Sequence, residues 1–168
     1  MTIEEVKNIC AEAFSKEGFD FNVEGIEVKF NGRLTRTLGT CSYVRVNDVV
    51  LPSKIEISRN LNEYGTREEV EQTILHECGH ALAALETGEK QGHNDVFRAI
   101  CGRIGCNEAG SKSKVSISDK DELYKYTVYC DKCGQVVARY HRAGKIIKNL
   151  PRYTHNRCGG KLFVEQNY

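Results

Sequence analysis

Apolar positions recur with a helical period at the start of the chain: Ile3, Val6, Ile9, Cys10, Ala13 and Phe14 form one stripe, which Gly18 closes. From Phe19 to about Val50 the pattern changes to short β-rich pieces, FNVEGIEVKF and then TCSYVRV, with Asn31-Gly32 between them as a turn signal. LPSKIEIS sets Ile55 and Ile57 on one face and Lys54, Glu56 and Ser58 on the other, a strand with one wet side. We expect the edge of that strand, Lys54–Ser58, to be able to pair with an extended peptide.

A long helix comes next. Thr66 and Glu69 form the capping box T-R-E-E, which satisfies two orphan amide donors and fixes the start. Val70, Ile74, Cys78, Leu82 and Leu85 repeat at helical spacing until Gly88 ends the run. After the polar connector ETGEKQG, a third helix begins near Asn94 and buries Phe97, Ile100, Cys101 and Ile104. The polar stretch NEAGSKSKVSISDK reads as a linker. From Tyr124 onward the chain reads as strands around paired knuckles. The elements together predict an α+β protein with three parts: residues 1–110, a linker over 111–123, and 124–168.

With 40% hydrophobic and 28% charged residues, the chain has an ordinary globular composition, and no apolar run approaches the roughly 20 residues needed to span a bilayer. The start, MTIEEVKNICAEAF, has acidic residues and no cationic-then-apolar order, so the expectation is a cytoplasmic protein without an export signal; a monomer is expected as well. In a reducing compartment, eight cysteines argue for metal binding where the spacing supports it rather than for disulfides. Cys10, Cys41, Cys78 and Cys101 lack such spacing and are expected in the core, and Cys106 is left unassigned. The charge is divided: residues 1–110 hold 12 Lys/Arg against 18 Asp/Glu, a balance of −6, and residues 124–161 hold nine cations against Asp131, a balance of +8.

The sequence HECGH, His76 to His80, puts two imidazoles on one face of the long helix, one turn apart, where they can share a metal ion. Zinc held by three protein ligands keeps an open position and acidifies water there to a pKa of about 7. Glu77, beside His76 and angled away, would then carry the proton from the attacking water to the leaving amine. His93, twelve residues beyond His80 and after Gly92, is the expected third ligand. His141 and His155 lie in the basic C-terminal region. A purely structural zinc at these residues would leave Glu77 without a task. Tyr43, Tyr64 and Arg98 are candidates to stabilise the oxyanion.

A second metal site is expected in the C-terminal part. Cys130-Asp-Lys-Cys133-Gly and His155-Asn-Arg-Cys158-Gly have the same form, ligand, two residues, Cys, Gly, with the glycine permitting a tight positive-φ turn. Together they offer a closed Cys3His set of the structural kind, with His141 as the rival fourth ligand. Nine cations are interleaved with Tyr124, Tyr126, Tyr129, Tyr140 and Tyr153, a combination suited to phosphates and unpaired bases. The bland alternative is a solvated basic surface with tyrosines in its core.

TILHECGHAL, then GHNDVFRAI, then knuckles ending CGGKL, with RLTRTLGTCSY and IEISRNL before them, resemble the SprT-like metalloproteases. The resemblance implies a minimal zincin-like catalytic domain with its HExxH helix, followed by a small zinc β-ribbon. His76, His80 and His93 match the family's zinc ligands, and Glu77 its catalytic glutamate. It also implies action on DNA-associated proteins, including proteins crosslinked to DNA, with DNA as partner. The competing readings are a zinc-stabilised nucleic-acid-binding module with a vestigial site, and another zinc hydrolase acting on formyl-peptide or RNA.

Overall fold

The computed structural model describes residues 1–34, 37–107 and 124–168. The linker expected over 111–123 lies outside the described residues. The chain divides into two compact units, Met1–Val115 and Ser116–Tyr168.

In the first unit, helix α1 (Ile3–Lys16) opens with a capping box in which Thr2 accepts from the Glu5 amide and Glu5 accepts from the Thr2 amide. Its buried stripe is Val6, Cys10, Ala13 and Phe14. The first expected strand is shorter than its apolar pattern. Asp20 Oδ1 accepts from the Asn22 amide at 2.9 Å and the Asp20 carbonyl from Val23, so FNVEG is a turn. Strand β1 is Glu27–Asn31, followed by β2 (Gly39–Val46) and β3 (Val49–Ser58).

These three strands form a mixed sheet in the order β1-β3-β2, with β3 parallel to β1 and antiparallel to β2. Asn31-Gly32 turns the chain as expected, the Arg33 amide donating to Asn31 Oδ1 at 2.8 Å, while the hairpin is β2–β3, turned by Asn47 and Asp48, both at positive φ (47° and 66°). This overturns the edge expected at Lys54–Ser58: β3 is the central strand and its backbone groups are taken on both sides. Ile55 and Ile57 are fully buried, Lys54 and Glu56 half-buried. Ser58 is buried too, because its hydroxyl donates to the Leu34 carbonyl (2.8 Å) and accepts from the Leu61 amide, capping the short helix α2 (Arg59–Tyr64).

Helix α3 (Arg67–Thr87) carries the expected capping box, with Thr66 and Glu69 reciprocally bonded. Val70, Ile74, Cys78 and Leu82 are buried, each large apolar side chain contributing about 1.5–3 kcal/mol. Helix α4 (Asp95–Ile104) buries Phe97, Ile100, Cys101 and Ile104. The two helices approach closely at Gly79, where a Cβ would stand 2.9 Å from Cys101 Sγ and 3.1 Å from the Phe97 ring. Of the other cysteines expected in the core, Cys10 and Cys78 are buried and Cys41 is half-buried. Among the described residues no helix is long and apolar enough to cross a membrane.

The second unit is a three-stranded antiparallel sheet, β5-β4-β6, of β4 (Tyr126–Cys130), β5 (Val136–Tyr140) and β6 (Leu162–Gln166). A one-turn helix, α5 (Lys145–Lys148), and a 3-10 turn at Leu150–Arg152 connect β5 to the second knuckle. Its buried apolar side chains among the described residues are few: Val128, Cys130 and Leu150.

Candidate functional site

The i, i+4 spacing on α3 puts the His76 and His80 rings 4.9 Å apart between centroids. The chain turns back after Gly88, and His93 sits immediately before Asn94, the N-cap of α4. Asn94 is held on both sides: its Oδ1 accepts from the Phe97 amide and its Nδ2 donates to Gln91 Oε1 at 2.6 Å. His93 Nε2 lies 3.1 Å from His76 Nε2 and 3.2 Å from His80 Nε2. Nitrogens around one tetrahedral zinc at 2.0–2.1 Å would be about 3.3 Å apart, so this donor set fits a single ion of that size. Beneath the three rings lies buried Phe97, with centroid distances of 5.1 Å to His76, 4.4 Å to His80 and 4.9 Å to His93.

The electrostatics suit metal donors. Burial, with the neighbouring His76 and His93, pushes His80 down to about 4, leaving a neutral ring with a free lone pair. His76 is shifted upward, chiefly by the Cys106 thiol beside it, against the effect of burial. Its buried Nδ1 has no well-aligned hydrogen-bond partner. Cys106, which no spacing rule could assign, is thus a buried neighbour of this cluster, following the turn that ends α4.

Glu77 is only 6% exposed. Burial pushes its carboxyl up to about 7; nearby His76 and the Cys41 backbone amide pull the other way. Of the three oxyanion candidates, Tyr43 stands on β2 just past an irregularity in its pairing with β3, and such bulges re-aim side chains. Burial raises its hydroxyl pKa, and the Cys41 thiol and the charge of Glu77 add to the rise. Lys90 Nζ lies 5.5 Å from its ring centroid. Arg98 is instead ion-paired with Asp95 at 2.9 Å, and Tyr64 ends α2.

In the second unit, Cys130, Cys133, His155 and Cys158 bring their donor atoms within 4.8 Å of one another. His155 Nδ1 lies 3.3 Å from Cys133 Sγ and 3.2 Å from Cys158 Sγ, and Cys158 Sγ lies 3.4 Å from Cys130 Sγ. His141 is not in this group; its ring stacks on Tyr124 at 4.7 Å. Gly134 and Gly159 close the knuckles at φ 67° and 69°. A Cβ on Gly160 would strike Cys130 Sγ, so the second glycine of CGG leaves room for the thiolates. Desolvation opposes a thiolate at Cys130, but the amides of Cys133 and Lys132 and the Cys158 thiol bring its pKa down to about 6. Beside His155 runs a shallow groove of about 370 Å³ lined by Val137, Ile146, Tyr153, Arg157 and Leu162 among others.

The sequence profile of the SprT-like family matches residues 7–120. Among curated proteins, the chain is 29% identical over 122 residues to the DNA-dependent metalloprotease SPRTN of Danio rerio, covering 71% of this chain and 19% of that protein. It is 28% identical to the Homo sapiens protein of the same name over 71% of this chain and 24% of the relative. For the Xenopus tropicalis protein the values are 30%, 67% and 26%. The chain thus spans about a fifth to a quarter of the length of these relatives.

Proposed function

The chain belongs to the SprT-like family, and from that premise we propose that it is a zinc-dependent endopeptidase acting on DNA-associated proteins, with residues 1–110 catalytic, 111–123 a linker and 124–168 a zinc β-ribbon that contacts DNA. The observation that carries this reading is the meeting of three imidazole Nε2 atoms at one point, with a buried carboxylate beside them. His76, His80 and His93 would hold a catalytic zinc in a zincin-like arrangement. Bound there, zinc supplies Lewis acidity and acidifies water.

The remaining work falls to side chains of the chain. Glu77, with a pKa near 7, can accept a proton from the attacking water at neutral pH and return it to the leaving amine. Tyr43, whose hydroxyl stays protonated, can donate to the oxygen on which charge develops. Phe97 fixes the three rings from below.

Cys130, Cys133, His155 and Cys158 would hold a structural zinc, and the amides of Cys133 and Lys132 favour a thiolate at Cys130. The balance of +8 over 124–161, and the groove where Tyr153 and Arg157 lie together, support contact with a nucleic-acid strand. The name of the relatives, DNA-dependent metalloprotease, points the same way. A cytoplasmic setting, with every cysteine reduced, fits the free thiols; a monomer is part of the same proposal.

The test is cleavage of a protein–DNA conjugate by the full chain, with and without chelator, against Glu77→Gln. Metal-dependent cleavage lost in the variant is expected. Equal behaviour of both proteins under all conditions would refute the proteolytic reading. A salt-dependent DNA shift without turnover would leave a nucleic-acid-binding module.

A further inference from the structure

Strand β2 begins at Gly39, paired with Ile57 of β3. The backbone there gives no reason for glycine, because Gly39 is not among the residues at positive φ. Space gives one. A Cβ on Gly39 would stand 2.8 Å from Glu77 Cγ, 2.9 Å from Glu77 Oε1 and 3.0 Å from Thr73 Cγ2. These are contacts that real Cβ atoms essentially never make at the two shorter distances.

The surroundings of that contact are braced. The preceding Leu38 carbonyl accepts from the Ser58 amide at 2.7 Å, and the Ser58 hydroxyl reaches back to Leu34, so β2 is tied to β3 where it begins. Thr73 donates its hydroxyl to the Glu69 carbonyl at 2.8 Å and is buried. Of the two side chains in the contact, that of Glu77 has more rotatable bonds through which to yield.

We propose that Gly39 is a positioning residue: by presenting no side chain, it leaves the seat between β2 and Thr73 in which Glu77 rests, and so sets where the carboxylate stands relative to His76, His80 and His93. This rests on Glu77 being the proton carrier of the proposed reaction. A methyl group at position 39 expels the Glu77 side chain from its seat before it moves the strand.

The experiment is Gly39→Ala in the full chain with zinc. On the protein–DNA conjugate, kcat should fall by about 100-fold, the loss typical of a displacement near 1 Å, with KM and zinc content per chain unchanged. Adding Thr73→Ser removes Cγ2 but not the contact with Glu77, so the loss should persist; rescue by Thr73→Ser would reduce Gly39 to packing against Thr73 and overturn the proposal. Cleavage at the parent rate would also overturn it.

A second readout needs no activity. Gly39→Ala should lower the unfolding midpoint of the parent chain clearly more than that of Glu77→Ala, because the two shortest contacts are then gone and only the one with Thr73 Cγ2 remains. An equal drop in both backgrounds would refute the proposal. A parent chain that cleaves nothing while this stability pattern holds would count against the proteolytic reading and support the seat.

Discussion

Removing the charge of Glu77 should stabilise the metal-free protein, and only above a certain pH. Burial lifts its carboxyl from 4.5 to about 7. The sign follows from the folded pKa lying above the unfolded one. Below pH 4.5 the group is protonated in both states and adds nothing; above pH 7 it is ionised in both, and the folded state bears the whole cost of a buried charge. At about 1.4 kcal/mol per unit, the difference of roughly 2.5 units corresponds to about 3 kcal/mol, incurred as pH rises from 4.5 to 7. Glu77→Gln keeps the shape and removes the titration. The assay is urea unfolding of both proteins after chelator dialysis, followed through amide exchange at Ile74 and Leu82, which reports on α3 alone. The stability gap in favour of Gln should be small at pH 5 and widen by about 2–3 kcal/mol at pH 8. Restoring zinc should narrow it, because a cation beside the carboxylate favours ionisation. A gap that does not vary with pH would refute the claim that Glu77 is held in a desolvated seat.

Tyr43→Phe should lower kcat by about 10²–10³ on the protein–DNA conjugate with little change in KM, as for loss of one oxyanion donor, and an unchanged kcat would remove Tyr43 from the reaction. Gly79→Ala should destabilise the first unit by about 1–3 kcal/mol in chemical denaturation, because the new methyl meets Cys101 and Phe97. Stripping metal should melt the second unit, whose buried apolar side chains are few, while α3 stays protected from amide exchange; persistence of the β4–β6 amide signals after chelation would contradict a metal-dependent ribbon.

Local signals were legible and pairing was not. The capping box at Thr66 and Glu69, the apolar repeat of α3 and the positive-φ glycines after Cys133 and Cys158 involve neighbours within one turn, and a sequence displays those directly. The gathering of His76, His80 and His93 depends on one tight return between two helices, so spacing sufficed to bring them under suspicion. Strand order depends on contacts far apart along the chain. Asn31-Gly32 marked a real turn, but nothing local said that the paired hairpin would fall at Asn47-Asp48, and the central place of β3 could not be read from its alternation alone. Ser58 looked solvent-facing by period and proved to be a buried cap. Cys106 carries no motif; only folding of α4 against α3 reveals its neighbour.

Phe97 belongs at once to the hydrophobic interior and to the underside of the imidazole tripod. A single side chain therefore transmits any rearrangement of the α3–α4 packing into the geometry of three donor nitrogens. If the three rings share an ion as proposed, sequence drift in this interior is answerable to the chemistry: a substitution that loosens Ile100 or Cys101 would also disturb the rings packed on Phe97, and selection for turnover would act on residues that never meet a substrate.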